Sequence, residues 1–159
     1  GANCTMHTDL WNYCLHLYAR PGVEHACLEL QNRGMDVCLL LCAAWLQTRG
    51  VTCDEGRLTQ LQDCAGPWQR DVIQPLRHLR MQWREAAAHD ETLATLRMQV
   101  KTLELEAERT LLLRLESLTR QWLPGQCAQT CDWLRELARL AGQPDCDTLQ
   151  ALRAAINHA

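Results

Sequence analysis

Three groups of side chains in this 159-residue sequence are spaced in ways that could do chemistry. Arg77, Arg80 and Arg84 recur every three or four residues, with Arg70 two turns earlier, so on a helix their guanidinium groups line one face. Such a stripe suits an anionic partner: a phosphate, a nucleotide or an acidic protein surface. Glu104 and Glu108 lie one helical turn apart, and a like-charge pair at that spacing costs about 0.2–0.5 kcal/mol. A chain accepts that cost to hold a cation or a basic partner. The two sets also suit each other, so the arginine stripe could equally face the acidic side of the same chain. Lys101 and Arg109 near the glutamates support the plainer reading, a solvated charged face.

Cysteines form the third group. Cys38 and Cys42, and again Cys127 and Cys131, are four apart, so each pair presents both thiols on one side of a helix. Two such helices face to face are the weak candidates for a four-thiolate zinc site. Structural zinc sites usually use a two-residue gap on a turn, and Cys38 and Cys42 lie in the most apolar stretch of the chain, where thiolates are disfavoured. Core packing is therefore the expected role, with no metal. Other chemistries lack their residues. There is no Glu-x-x-His pair for a di-metal bundle, no aspartate-rich diphosphate box, no glycine-rich phosphate loop and no G-x-S-x-G elbow. Glu85 and His89 are four apart near a helix end, a spacing that helices produce by chance. No catalytic residues and no cofactor are expected, and the sequence leans away from an enzyme.

The elements that must position these groups are helices. Leu, Ala, Arg, Gln and Glu dominate, Val and Ile are scarce, and Phe is absent. The net charge of -3 argues against specific nucleic-acid binding. Val37 to Leu46 is an unbroken apolar run, too short to span a bilayer and apolar on every side, so Asp36–Thr48 is the expected buried central helix. Around it the spacing predicts Asp9–Tyr18 capped by Thr8, and Val23–Arg33 ended by Gly34. A fourth helix opens on a Thr52/Glu55 capping box and runs to about Cys64, where Gly66-Pro67 separates it from a fifth carrying Trp68, Val72, Leu76, Leu79 and Trp83, which Pro75 should kink or restart. Asp90 should cap the longest helix, Glu91–Trp122, with a stripe from Leu93 and Leu96 through Val100, Leu103, Ala107, Leu111, Leu115 and Leu118 to Trp122. Leu105, Leu112 and Leu113 lie off that stripe and could seat a second chain. Helices at Gln126–Leu140 and Cys146–Asn157 complete an all-α, single-domain bundle of about seven or eight helices. Gly1–Thr5 reads as a cloning remnant before a native start at Met6, and the absence of an apolar leader points to reduced thiols.

Several segments resemble one family. These are Asp9-Leu10-Trp11, Tyr18-Ala19-Arg20-Pro21-Gly22-Val23, Ala26-Cys27-Leu28 and Leu30-Gln31, then Asp36-Val37 with Leu39-Leu40-Leu41, and Trp45-Leu46. Trp68, Pro75-Leu76-Arg77 and Leu103-Glu104 with Ala107-Glu108 extend the likeness over about residues 9–120. The family is one of small bacterial conserved hypothetical proteins of unknown function. The resemblance implies a bacterial, cytoplasmic, helical protein and transfers no catalytic residues. The leading expectation is a non-enzymatic interaction or regulatory protein that binds another protein or itself. The alternative is a bundle that binds a small anionic ligand through Arg77, Arg80 and Arg84, with or without catalysis. A thiol-based metal or redox site comes third.

Overall fold

The structure is a computed structural model that describes residues 9–125, 132–142 and 146–157. Every regular element in it is helical, so the fold is all-α. α1 (Asp9–Tyr18) and α2 (Val23–Asn32) lead into α3 (Val37–Thr48), the centre of the molecule. All ten residues from Val37 to Leu46 are buried. Asp36 caps α3, its carboxylate accepting from the Leu39 N–H at 3.1 Å. Both α2 and α3 end on a glycine held at positive φ, Gly34 at 92° and Gly50 at 72°. At each, the next N–H reaches back to the helix: Met35 to the Leu30 carbonyl and Val51 to the Leu46 carbonyl. That closure needs a left-handed residue, which glycine supplies without a Cβ clash.

The next segment departs from its sequence pattern. α4 (Glu55–Trp68) is capped by Asp54, whose carboxylate accepts from the Arg57 N–H, and not by Thr52. It does not stop at Cys64. The chain runs helically through Gly66 and Pro67 into a π-helical turn, Gln69–Ile73, and on into α5 (Gln74–Gln82). In that turn the Gln74 N–H bonds the Gln69 carbonyl five residues back. The slipped register loosens the backbone just where the Pro75 ring would otherwise crowd the preceding turn. A proline that reads as a break is thus absorbed.

After a short α6 (Arg84–Ala87), α7 (Glu91–Thr119) runs about 43 Å back along the molecule, at 1.5 Å per residue. Asp90 caps it, accepting from the Thr92 and Leu93 N–H groups. It ends three residues before the expected Trp122. Its buried face keeps Val100, Ala107, Leu111 and Leu115 of the expected stripe and loses others. Val100, Glu104, Ala107, Leu111, Leu112, Leu115, Glu116 and Thr119 point inward, while Leu96 and Leu103 are exposed. Leu112, expected off the core, is in it, and Leu105 and Leu113 are outside. Leucines at nearly every helical angle left the inward face undetermined by pattern alone. Buried Glu116 is satisfied by a backbone donor. Its carboxylate accepts from the Leu10 N–H at 2.8 Å, which gives a partner to one of the N-terminal donors of α1.

α8 (Trp133–Leu140) packs on α3, and α9 (Asp147–Asn157) packs on α2. Trp133 anchors the first of these through its indole N–H to the Val51 carbonyl at 2.8 Å and its backbone N–H to Gln47 at 3.0 Å. Arg20 anchors the second by donating to the Ala155 carbonyl. The start of the expected Gln126–Leu140 helix, the Thr8 cap, Met6, Cys127 and Cys131 lie outside the described residues.

Two regions result. One is a body with a continuous apolar core drawn from α1 to α4, the second half of α7, α8 and α9. The other is a helical arm made of α5, α6 and the first half of α7, in which α5 and α6 bury no residue.

Candidate functional site

Where the arm joins the body, charged side chains from two helices converge. Arg77 donates from Nε to Glu104 at 3.1 Å, and Arg80 makes a two-pronged contact with the same carboxylate at 2.5 and 3.3 Å. Glu104 is buried, and the two guanidiniums keep only 15% and 22% of their side-chain exposure. One turn of α7 separates Glu104 from Glu108. Burial, and then the Glu104 charge, push Glu108 up to about 7 against the pull of Arg77 and Arg80. The arginine and glutamate groups predicted separately are therefore largely one cluster, Arg77, Arg80, Glu104 and Glu108. Arg84 stands apart. It lines a shallow depression of about 220 Å³ with Arg97 and Met98. Arg70 is exposed and pairs with its neighbour Asp71.

Beside the cluster lies a cleft of about 310 Å³ between the α2–α3 turn, the π-helical turn and α8. Asp36 sits in its wall. Burial raises its carboxyl to about 6, against hydrogen bonds from the Leu39 N–H and the Gln69 amide and the charge of Arg77. Gln69, itself buried, donates from Nε2 to Asp36 Oδ1 at 2.8 Å. Gln31, Gln62, Gln74, Arg70 and Arg77 add polar groups, and Met35, Leu39, Leu40 and Leu137 add apolar ones.

The π-helical turn explains how one helical rod supplies so many of these. Its extra residue sets the following face back by about one residue, or roughly 100°. Gln62, Gly66, Gln69 and Arg70 before or within the turn, and Gln74 and Arg77 after it, consequently line the same cleft. Regular 3.6-residue spacing would turn Gln74 away. For the same reason the sequence pattern hid this site: Asp36 was legible only as a helix start, and the glutamines did not fall on one ideal helical face. The apolar run that follows Asp36 made it a visible start, and a carboxylate beside so apolar a helix was the available signal.

The thiol candidates sit elsewhere. Cys38 and Cys42 are buried within α3, and burial pushes both thiols well up. Cys38 Sγ lies 3.9 Å from the Glu108 carbonyl. Among the described residues no group of three or more His, Cys, Asp or Glu side chains is placed to hold a metal ion. Tryptophans serve packing and stacking: Trp122 stacks on Trp133, and Arg114 lies 4.0 Å over the Trp68 ring while the Trp68 N–H bonds the Ala107 carbonyl. Among the described residues no helix is long and apolar enough to cross a membrane.

No curated protein matches the chain, and no solved structure does. A family model does match, over residues 9–115, which takes in α1 through most of α7 and hence both the charged cluster and most of the cleft. The chain belongs to the family described as "Protein of unknown function (DUF2390)".

Proposed function

We propose that this chain is a non-enzymatic interaction protein of the bacterial cytoplasm, and that it pairs with a second copy of itself through the arm. The carrying observation is the exposure of apolar side chains along that arm. Met98 and Leu105 are 58% and 57% exposed, two helical turns apart on one face of α7, while Leu96 and Leu103 on another face of α7 and Met81 on α5 are exposed as well. An arm of this kind buries little on its own. Two of them packed together form a four-helix bundle, the standard way for such hairpins to cover their apolar sides. Charge does not oppose it: residues 74–106 hold five arginines and lysines against five aspartates and glutamates. The bacterial, cytoplasmic setting rests on the family resemblance.

The test is native mass and light scattering on the full chain, beside the double variant M98K/L105K. The expected result is a dimer for the parent chain and a monomer of unchanged helical content for the variant. A parent chain that stays monomeric at tens of micromolar, a range in which homodimers with Kd near 1 μM are mostly assembled, overturns the reading.

A further inference from the structure

The cleft beside Asp36 carries an inference independent of the arm. We propose that it binds a zwitterionic small molecule of amino-acid size with an aliphatic side chain, its cationic end held at Asp36 and its anionic end at Arg77.

The charges call for both ends. Asp36 and Arg77 line one cleft, close enough for the guanidinium to act on the carboxyl, yet among the described residues no ion pair joins them. Arg77 uses Nε on Glu104, and among the described residues its two terminal nitrogens have no hydrogen-bond partner. Asp36 directs Oδ1 to Gln69 and to the Leu39 N–H. A simple anion entering this space would meet the Asp36 charge, and a simple cation would meet the Arg77 charge. A molecule bearing both signs satisfies both and adds no net charge to a poorly solvated site.

The walls specify the rest. Met35, Leu39, Leu40 and Leu137 offer an apolar side that suits an aliphatic chain. Gln31, Gln62 and Gln74 can donate to a carboxylate or accept from an ammonium group. The volume of about 310 Å³ is at the small end of the ligand-pocket range, which limits the occupant to a metabolite of a few heavy atoms beyond an amino-acid backbone. The π-helical turn is the second structural sign, since such single-turn insertions are frequent at functional sites. Here it brings Gln74 to the wall that holds Gln69 and Arg77.

The experiment is calorimetric and NMR titration of the full chain with three probes: L-leucine, N-acetyl-L-leucine, which lacks the cation, and isoamylamine, which lacks the anion. L-leucine is expected to bind saturably and to shift the side-chain amide signals of Gln62, Gln69 and Gln74. Each truncated probe should bind at least about tenfold more weakly, the effect of one lost charge-assisted hydrogen bond. Asp36→Asn retains a capping side chain for α3 and is the safe variant. It should weaken L-leucine by about the same factor and leave N-acetyl-L-leucine unchanged. N-acetyl-L-leucine binding as well as L-leucine would show a plain anion site and overturn the proposal. Isoamylamine binding as well would do the same in the other direction. The absence of any shift at those glutamines at millimolar L-leucine also overturns it, whatever the oligomeric state of the arm proves to be.

Discussion

In α3 ten consecutive residues are buried, whereas in α5 and α6 none is. Both regions are built from good helix formers, so propensity does not separate them. What separates them is how each helix is held. The body holds its helices by dry packing, with Cys14, Cys27, Cys38 and Cys42 acting as small apolar side chains in the core. The arm holds its helices through the Arg77–Glu104–Arg80 cluster at its base, the hydrogen bond from Arg97 to the Arg80 carbonyl, and the Asp90 cap. Charged residues here are therefore structural joints as well as surface; Leu76 of the arm packs against the core, while Met81, Leu96, Met98, Leu103 and Leu105 stay exposed.

The largest effect should come from the body. Leu46 of α3 is fully enclosed in the core, so Leu46→Ala removes methyl groups and leaves a cavity, at a cost of about 2–5 kcal/mol. Leu103→Ala in the arm should change stability by no more than about 0.5 kcal/mol. Urea unfolding of both variants checks this, and equal losses would erase the distinction between the two regions.

Breaking the joint comes next. Glu104→Ala strands two guanidiniums that now share one carboxylate. Removing one partner of a fully buried pair costs about 3–5 kcal/mol, and the residual exposure of Arg77 and Arg80 reduces the expected loss to about 2 kcal/mol. Amide exchange should concentrate the damage in residues 74–106, because that segment buries few residues besides Val100 and Glu104. A uniform loss of protection across α3 would mean that the arm is part of the core's cooperative unit.

The same seam predicts a pH dependence. Glu108 is raised from 4.5 to about 7 and Asp36 from 3.8 to about 6 by burial. In that interval the folded chain binds more protons than the unfolded one, so these two groups make stability fall as pH rises from about 4 to 7. Their unfavourable contribution is complete above the folded values and absent below the unfolded ones. Glu108→Gln should flatten the slope and stabilise the chain at pH 8 by on the order of 2 kcal/mol. A parent chain whose stability rises steadily over that range, with Glu108→Gln following it, would contradict this assignment.

Much of this architecture was readable from residues alone, and the exceptions share a cause. The all-round apolar α3, the glycine stops at Gly34 and Gly50, and the Asp90 cap are local signals, and each appears in the structure. Pro67, Pro75 and the π-helical turn are not local in that sense. Whether a proline ends a helix depends on what the neighbouring backbone can relax into, and here a single extra residue absorbs it. The inward face of α7 was hidden because leucines surround the helix, and the decision was made by partners far away in sequence: Arg77 and Arg80 draw Glu104 inward, and the Leu10 N–H draws Glu116. The cleft at Asp36 fell out of view for the same reason, since its wall is assembled across the register slip.

The smallest predicted effect compares two caps of the same chemistry in the two regions. Asp54 accepts from the Arg57 N–H at the start of α4, and Asp90 accepts from the Thr92 and Leu93 N–H groups at the start of α7. Replacing either by Ala removes a cap worth about 1 kcal/mol. In α4, where Leu58, Leu61 and Ala65 are buried, that loss is passed to the cooperative unfolding of the body and should lower its midpoint. Thr52→Ala should not, because Thr52 offers Arg57 only its backbone carbonyl. In α7 the first buried residue is Val100, more than two turns beyond the cap. Asp90→Ala should therefore fray the tip of the arm, raising amide exchange over residues 91–97 while the urea midpoint moves by less than it does for Asp54→Ala. Equal midpoint shifts for the two variants would mean that the tip of the arm is coupled to the core despite burying almost nothing.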